Sequence, residues 1–140
     1  MQARKPVARV LLVEDDRILA HVYARALVAA GFVVDAALDG AEGLERLLAG
    51  AYDVLVTDLC MPRMNGLDLL QEVRRVRPDV PVVFMTAEVD SLAYTAACDL
   101  GIVRFLLKPM TMEQLARAVE SAASLRATLV RSAERRAAIQ

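Results

Sequence analysis

The chain has 140 residues, which suits a single domain with one substantial core. Its formal net charge of −1 excludes a chain-wide nucleic-acid footprint, and no apolar run approaches the roughly 18 residues that a membrane span needs. The apolar fraction of 56% and the mean hydropathy of +0.38 fit a parallel sheet covered on both faces. The opening residues are basic but precede no long apolar stretch, so residues 1–7 are expected to be a disordered lead-in and not a signal peptide. Cys60 and Cys98 form neither a CxxC pair nor a zinc spacing, so a reducing cytoplasm with no disulfide is expected.

Strand-like and helix-like segments alternate five times along the chain. The first strand is expected over residues 9–13, followed by a helix over 16–30 that Gly31 stops. A second strand over 32–36 leads to a helix over 41–48, ending at Gly50. The third strand, residues 53–57, is the apolar run that precedes Asp58, and the chain then breaks into the Pro- and Gly-bounded stretch LCMPRMNG. A third helix over 66–76 places Leu67, Leu70, Val73 and Arg74 at helical spacing. Residues 80–85 form the fourth strand, 91–100 the fourth helix with Gly101 as its stop, and 103–106 the fifth strand. A last helix begins near Thr111, with Gln114 three residues on in the capping-box spacing. This alternation implies βαβ units and a doubly wound, three-layer α/β sandwich around a parallel sheet. The domain is expected over residues 8–123. Residues 124–140 read either as a frayed tail or as a weak heptad seam running through Leu125, Leu129, Ser132, Arg136 and Ile139, with Arg126, Arg131, Arg135 and Arg136 on a solvated face.

Four strand ends deliver polar groups: Glu14-Asp15-Asp16 after the first, Asp58 after the third, Thr86 after the fourth, and Lys108-Pro109 after the fifth. Ligands bind at the carboxyl ends of strands in open parallel sheets. Glu14, Asp15 and Asp58 crowd like charges that would raise one another's pKa. A hard divalent cation resolves that conflict, and oxygen-only ligands with open water positions suit Mg²⁺. Lys108 supplies a compact positive charge and Thr86 a hydroxyl. Around one carboxylate, these groups form a cradle for a phosphoryl group, with Asp58 as the nucleophile. Asp16 reads as a helix N-cap.

These residues resemble the receiver domain of bacterial response regulators. The resemblance is carried by residues 10–16 (VLLVEDD), 52–66 (YDVLVTDLCMPRMNG), 82–87 (VVFMTA) and 101–109 (GIVRFLLKP), and it extends over roughly residues 8–123. It implies a CheY-like, flavodoxin-like fold with strand order 2-1-3-4-5. It also implies that Asp58 is the phospho-acceptor, that Asp15 and Asp58 bind Mg²⁺ with Glu14 assisting through water, and that the Cys60 backbone carbonyl completes the protein ligands. Thr86 and Lys108 match the groups that hold the phosphoryl oxygens, Phe105 matches the switch aromatic, and Lys108–Pro109 matches a peptide bond that is usually cis. The partner would be a sensor histidine kinase or phosphotransfer domain, and a homodimer could form through the face of the fourth helix, fifth strand and fifth helix, or through the C-terminal helix. No direct contact with nucleic acid or membrane is implied, nor turnover of a separate substrate. Glu14 in place of aspartate, Ile102 in place of a small residue and Met110 in place of phenylalanine are departures from the common pattern. Cys60 and Glu88 border the site, with Cys60 expected to serve as inert packing.

Rival classes meet specific obstacles. A phosphatase using an aspartyl phosphate would want a second acid shortly after Asp58, where Cys60 stands, and a cap domain for which no segment is left over. An interaction module independent of phosphorylation would not need Asp15, Asp58, Thr86 and Lys108 together. His21, the only histidine, reads as a helix-rim residue, and Met61 and Met64 as loop and core packing.

Overall fold

A computed structural model describes residues 7–61, 63–87, 91–101 and 104–139. Its elements alternate as β1 (Arg9–Val13), α1 (Arg17–Ala29), β2 (Val33–Ala37), α2 (Gly40–Ala49), β3 (Val54–Asp58), α3 (Gly66–Val76), β4 (Val82–Thr86), α4 (Ser91–Asp99), β5 (Arg104–Leu107) and α5 (Met112–Ile139). The strands form one parallel sheet in the order β2-β1-β3-β4-β5. This is the order the resemblance implies.

Successive side chains of a strand point to opposite faces, and the sheet separates two cores on that basis. Leu11, Val13, Leu55 and Phe84 pack beneath α2, α3 and α4, against Leu47, Leu69, Leu70, Val73 and Ala97. Val10, Leu12, Val54, Val56, Val83 and Met85 face α1 and α5, meeting Tyr23, Leu27, Leu115, Ala118, Val119 and Ala122. Every residue of β3 and β4 is buried, as expected of central strands covered on both sides. The edge strand β2 is partly exposed.

Local chemistry sets the boundaries. Asp16 caps α1 by accepting from the amides of Ile18 and Leu19, at 2.9 and 3.1 Å. Asp39 and Asn65 cap α2 and α3 in the same way. Thr111 and Gln114 exchange the reciprocal bonds of a capping box at 3.0 and 2.8 Å.

Four strands lie further along the chain than their hydropathy suggests. β2 and β3 are displaced by one residue, β4 begins at Val82, and β5 runs from Arg104; the expected first residue of β5, Val103, lies outside the described residues. Ladder bonds are made by the backbone, so polar residues that end an apolar run still pair: Asp58 lies beside Met85, and Thr86 beside Leu107. On α3, Leu69 is fully buried and Leu67 only partly so, which rotates the core face from the expected one. α5 is helical without a break to Ile139.

Gly66 fixes the loop that follows β3. Its amide donates to the Leu59 carbonyl at 2.8 Å, and a Cβ at this position would stand 2.4 Å from the Asp58 carbonyl oxygen and 2.9 Å from Phe84. These neighbours are backbone and core, so they cannot yield cheaply. Gly66→Ala is therefore expected to destabilise the fold by about 2 kcal/mol, the scale of overpacking a tight core. Urea unfolding of the two proteins measures this, and equal midpoints would contradict it.

Candidate functional site

The strand order brings the carboxyl ends of β1, β3, β4 and β5 to one edge of the sheet. Glu14 follows β1, and its amide donates to the Ala37 carbonyl at 3.0 Å, holding it as an extension of the strand. Asp58 is the last residue of β3, and the Leu59 amide continues the ladder to Met85 at 2.9 Å. Lys108 follows β5, with its amide on the Thr86 carbonyl at 2.7 Å. The Lys108–Pro109 peptide bond is cis.

These placements join three charged groups. The Lys108 Nζ donates to Glu14 Oε1 at 2.7 Å and to Asp58 Oδ2 at 2.8 Å. Both acids are buried, Glu14 with 1% and Asp58 with 7% of its surface exposed. The second Asp58 oxygen, Oδ1, accepts from the Cys60 amide at 3.2 Å. Asp15 is exposed, yet it offers a carboxylate oxygen within 4.8 Å of oxygens from Glu14 and Asp58. Thr86 is buried at the end of β4. Phe105 is half-buried on β5, its ring tilted against Phe84 with centroids 5.5 Å apart.

The electrostatics follow from burial. Glu14 is pushed up to about 7, first by loss of solvent and further by the Asp58 charge, against the opposing effect of Lys108. Burial would lower Lys108, but its hydrogen bonds to Asp58 and Glu14 and their charges outweigh it, so the ammonium is held more tightly than usual. The lysine therefore stays charged. The donor set of three carboxylates, oxygen only, fits a hard cation such as Mg²⁺.

The site residues picked out in the sequence thus lie at one edge, with Glu14, Asp58 and Lys108 in direct contact. Tyr23 was not anticipated. It is buried on α1, and its ring centroid lies 5.8 Å from Lys108 Nζ, within cation–π range. Its sequence neighbours mark it only as an apolar position on a helix. The packing role expected of Cys60 is not found: its side chain is exposed, because the chain directs Leu59 and Met61 inward on either side of it. Cys98 is also exposed and free. Met61 is buried in the core, Met64 packs against it, and His21 is exposed. Met110 packs against the core facing α1 and α5. Glu88 and Ile102 lie outside the described residues. Among those residues, no helix is long and apolar enough to cross a membrane.

Comparison with known proteins gives a consistent result. Residues 10–120 match the response regulator receiver domain family. Transcriptional regulatory protein DltR of Streptococcus agalactiae serotype III is 35% identical over 107 residues, covering 76% of this chain and 48% of DltR. Response regulator MprA of Mycobacterium ulcerans is 36% identical over 107 residues, covering 76% of this chain and 46% of MprA. The chain spans about half the length of the curated relatives it matches. A response regulator receiver domain protein from Clostridium thermocellum superposes with a TM-score of 0.83 at 27% identity, over 88% of this chain and 99% of that one. With its sheet order, its strand-end acids and its lysine, the chain belongs to the response regulator receiver domain family of two-component signalling.

Proposed function

We propose that this domain accepts a phosphoryl group on Asp58 from the phosphohistidine of a partner histidine kinase or phosphotransfer domain. The observation that carries the reading is the bridge from Lys108 to both Glu14 and Asp58, at 2.7 and 2.8 Å, beside the exposed carboxylate of Asp15. In the transfer, an Asp58 oxygen attacks phosphorus, the P–N bond breaks, and its electron pair returns to the donor imidazole. The chemistry is chiefly positioning and charge stabilisation. Lys108 neutralises charge on the phosphoryl oxygens, its own charge secured by the surrounding acids. The Cys60 amide orients the Asp58 carboxylate, and Thr86 offers a hydroxyl from the end of β4. Glu14, Asp15 and Asp58 would hold Mg²⁺, with the Cys60 carbonyl as a further ligand, and the ion would supply neutralising charge at the same oxygens.

The added negative charge draws Lys108 and Thr86 towards the phosphoryl group, and Phe105 turns inward in the room that Thr86 leaves. The face made by α4, β5 and α5 changes as a result, by a shift between two conformations that bind the phosphoryl group unequally. That face controls an output, and the domain turns over no separate substrate.

Incubation with acetyl phosphate and Mg²⁺ is expected to add one phosphoryl mass to the intact chain, and Asp58→Asn to abolish the adduct. Lys108→Ala is expected to slow the gain roughly 100-fold, the scale of losing one preorganised charge stabiliser. An adduct that persists on Asp58→Asn would sink the reading.

Mg²⁺ binding is expected to depend on pH through Glu14. Its carboxyl is raised to about 7, so the metal-free site retains a proton below that pH, and binding must displace it. Affinity should therefore rise by up to roughly tenfold per pH unit from about pH 5 and level off near pH 8. Calorimetry in buffers of different ionisation enthalpy measures the affinity and the proton released. A flat profile for the wild-type chain would contradict this account.

A further inference from the structure

The end of the sheet remote from the acidic site carries an open groove of about 430 Å³. Pro78, Val80 and Pro81 from the α3–β4 connection and Leu100 from the end of α4 form its floor, and Leu125 and Leu129 of α5 form its roof. Its charged members are Arg74, Asp79 and Asp99. The roof is a consequence of helix length. The stripe of α5 that packs on the sheet, Leu115, Ala118, Val119 and Ala122, continues at the same spacing into Leu125, Leu129, Ser132 and Ile139 beyond the sheet's edge. This overhang is fixed to the body by an ion pair between Arg126 and Asp79. Contrary to the solvated face expected for it, the Arg126 side chain is mostly buried, and its Nε lacks a hydrogen-bond acceptor among the described residues.

Leu125, Leu129 and Ile139 leave 42%, 39% and 84% of their surfaces exposed, an uncovered apolar stripe along the overhang. We propose that a second copy of this chain covers it. The two α5 overhangs pair antiparallel about a dyad near Ser132, and each inserts its Ile139 into the other's groove. Charge selects this arrangement. The end of the overhang carries Arg135 and Arg136, exposed and without a carboxylate partner among the described residues. The groove carries Asp99, likewise exposed and without an ion-pair partner among the described residues. A parallel pairing would set Arg136 on the seam against its own copy and leave Asp99 alone. An antiparallel pairing sends the arginines towards Asp99 in the groove. Register agrees, because Leu125 and Ile139 each lie seven residues from Ser132, so one helix's Ile139 falls beside the other's Leu125. The contact is isologous, each copy giving and receiving the same groups, and therefore closes at two subunits.

This pairing does not use Asp58, so it stands apart from the phosphoryl reading. Sedimentation velocity of the full chain at sub-millimolar concentration is expected to give a weak dimer of twice the 15.3 kDa chain mass, the same for Asp58→Asn. Raised salt should weaken it. Ile139→Asp should return the chain to monomer without loss of fold, since that side chain is exposed. Asp99→Lys should weaken the dimer, and adding Arg135→Glu with Arg136→Glu to it should restore pairing. Spin labels on Ala138→Cys, in a Cys60→Ser and Cys98→Ser background, should lie at least about 18 Å apart, since residue 138 falls six positions either side of the dyad. A monomer at every concentration, a dimer indifferent to Ile139→Asp, or labels in near contact as in a parallel pair would each overturn the proposal.

Discussion

Everything at the carboxyl edge of this sheet depends on the compensation of two buried carboxylates by one lysine. Glu14 follows β1 and Asp58 ends β3, neighbouring strands that are buried at every position but Arg9. Like charges placed there lose solvent and repel each other, and Lys108 binds an oxygen of each. The lysine comes from the end of β5, and β4 lies between that strand and β3. A long, flexible ammonium can cross β4 to reach Asp58, whereas a short side chain could not. The bond between the Lys108 amide and the Thr86 carbonyl sets the base from which it reaches. The strand order therefore matters to the site: it keeps β5 within a lysine's reach of the end of β3.

The balance is incomplete, and the shortfall is useful. Glu14 remains raised to about 7 despite its lysine, because burial outweighs the ion pair. A site that leaves one carboxyl this poorly solvated is better satisfied by more positive charge. Asp15, exposed at the mouth, offers a further carboxylate to a cation arriving from solvent. Asp58 accepts from Lys108 at one oxygen and from the Cys60 amide at the other.

The polar residues at strand ends made both fold and site legible. Periodicity separated strands from helices, and the acids, threonine and lysine marked the edge to which the strands rise. Backbone pairing was less legible. Asp58 and Thr86 belong to their strands although their side chains suggest loops, because ladder bonds are indifferent to side-chain polarity. Contacts between distant segments left no local signal. Arg126 sits in a basic run that reads as solvated, and only the approach of the α3–β4 connection gives it Asp79. Tyr23 is similar: nothing near it in sequence announces the lysine that lies 85 positions away and over its ring. The exposure of Cys60 depends on the turn after β3, which is shaped by Gly66 against the Asp58 carbonyl.

The carboxyl end of α4 is held by polar contacts from a neighbouring helix. Among its described side chains, α4 buries Ala97 in the core. Its carboxyl end is instead held by Arg74 of α3, whose Nε donates to the Leu100 carbonyl at 2.6 Å and whose Nη2 donates to the Gly101 carbonyl at 3.0 Å. A third bond, from Nη1 to the Val80 carbonyl at 2.6 Å, ties the same guanidinium to the approach to β4. Helix-end carbonyls otherwise lack partners, and here one side chain supplies them from a neighbouring helix. Burial of Arg74 makes those bonds costly to break.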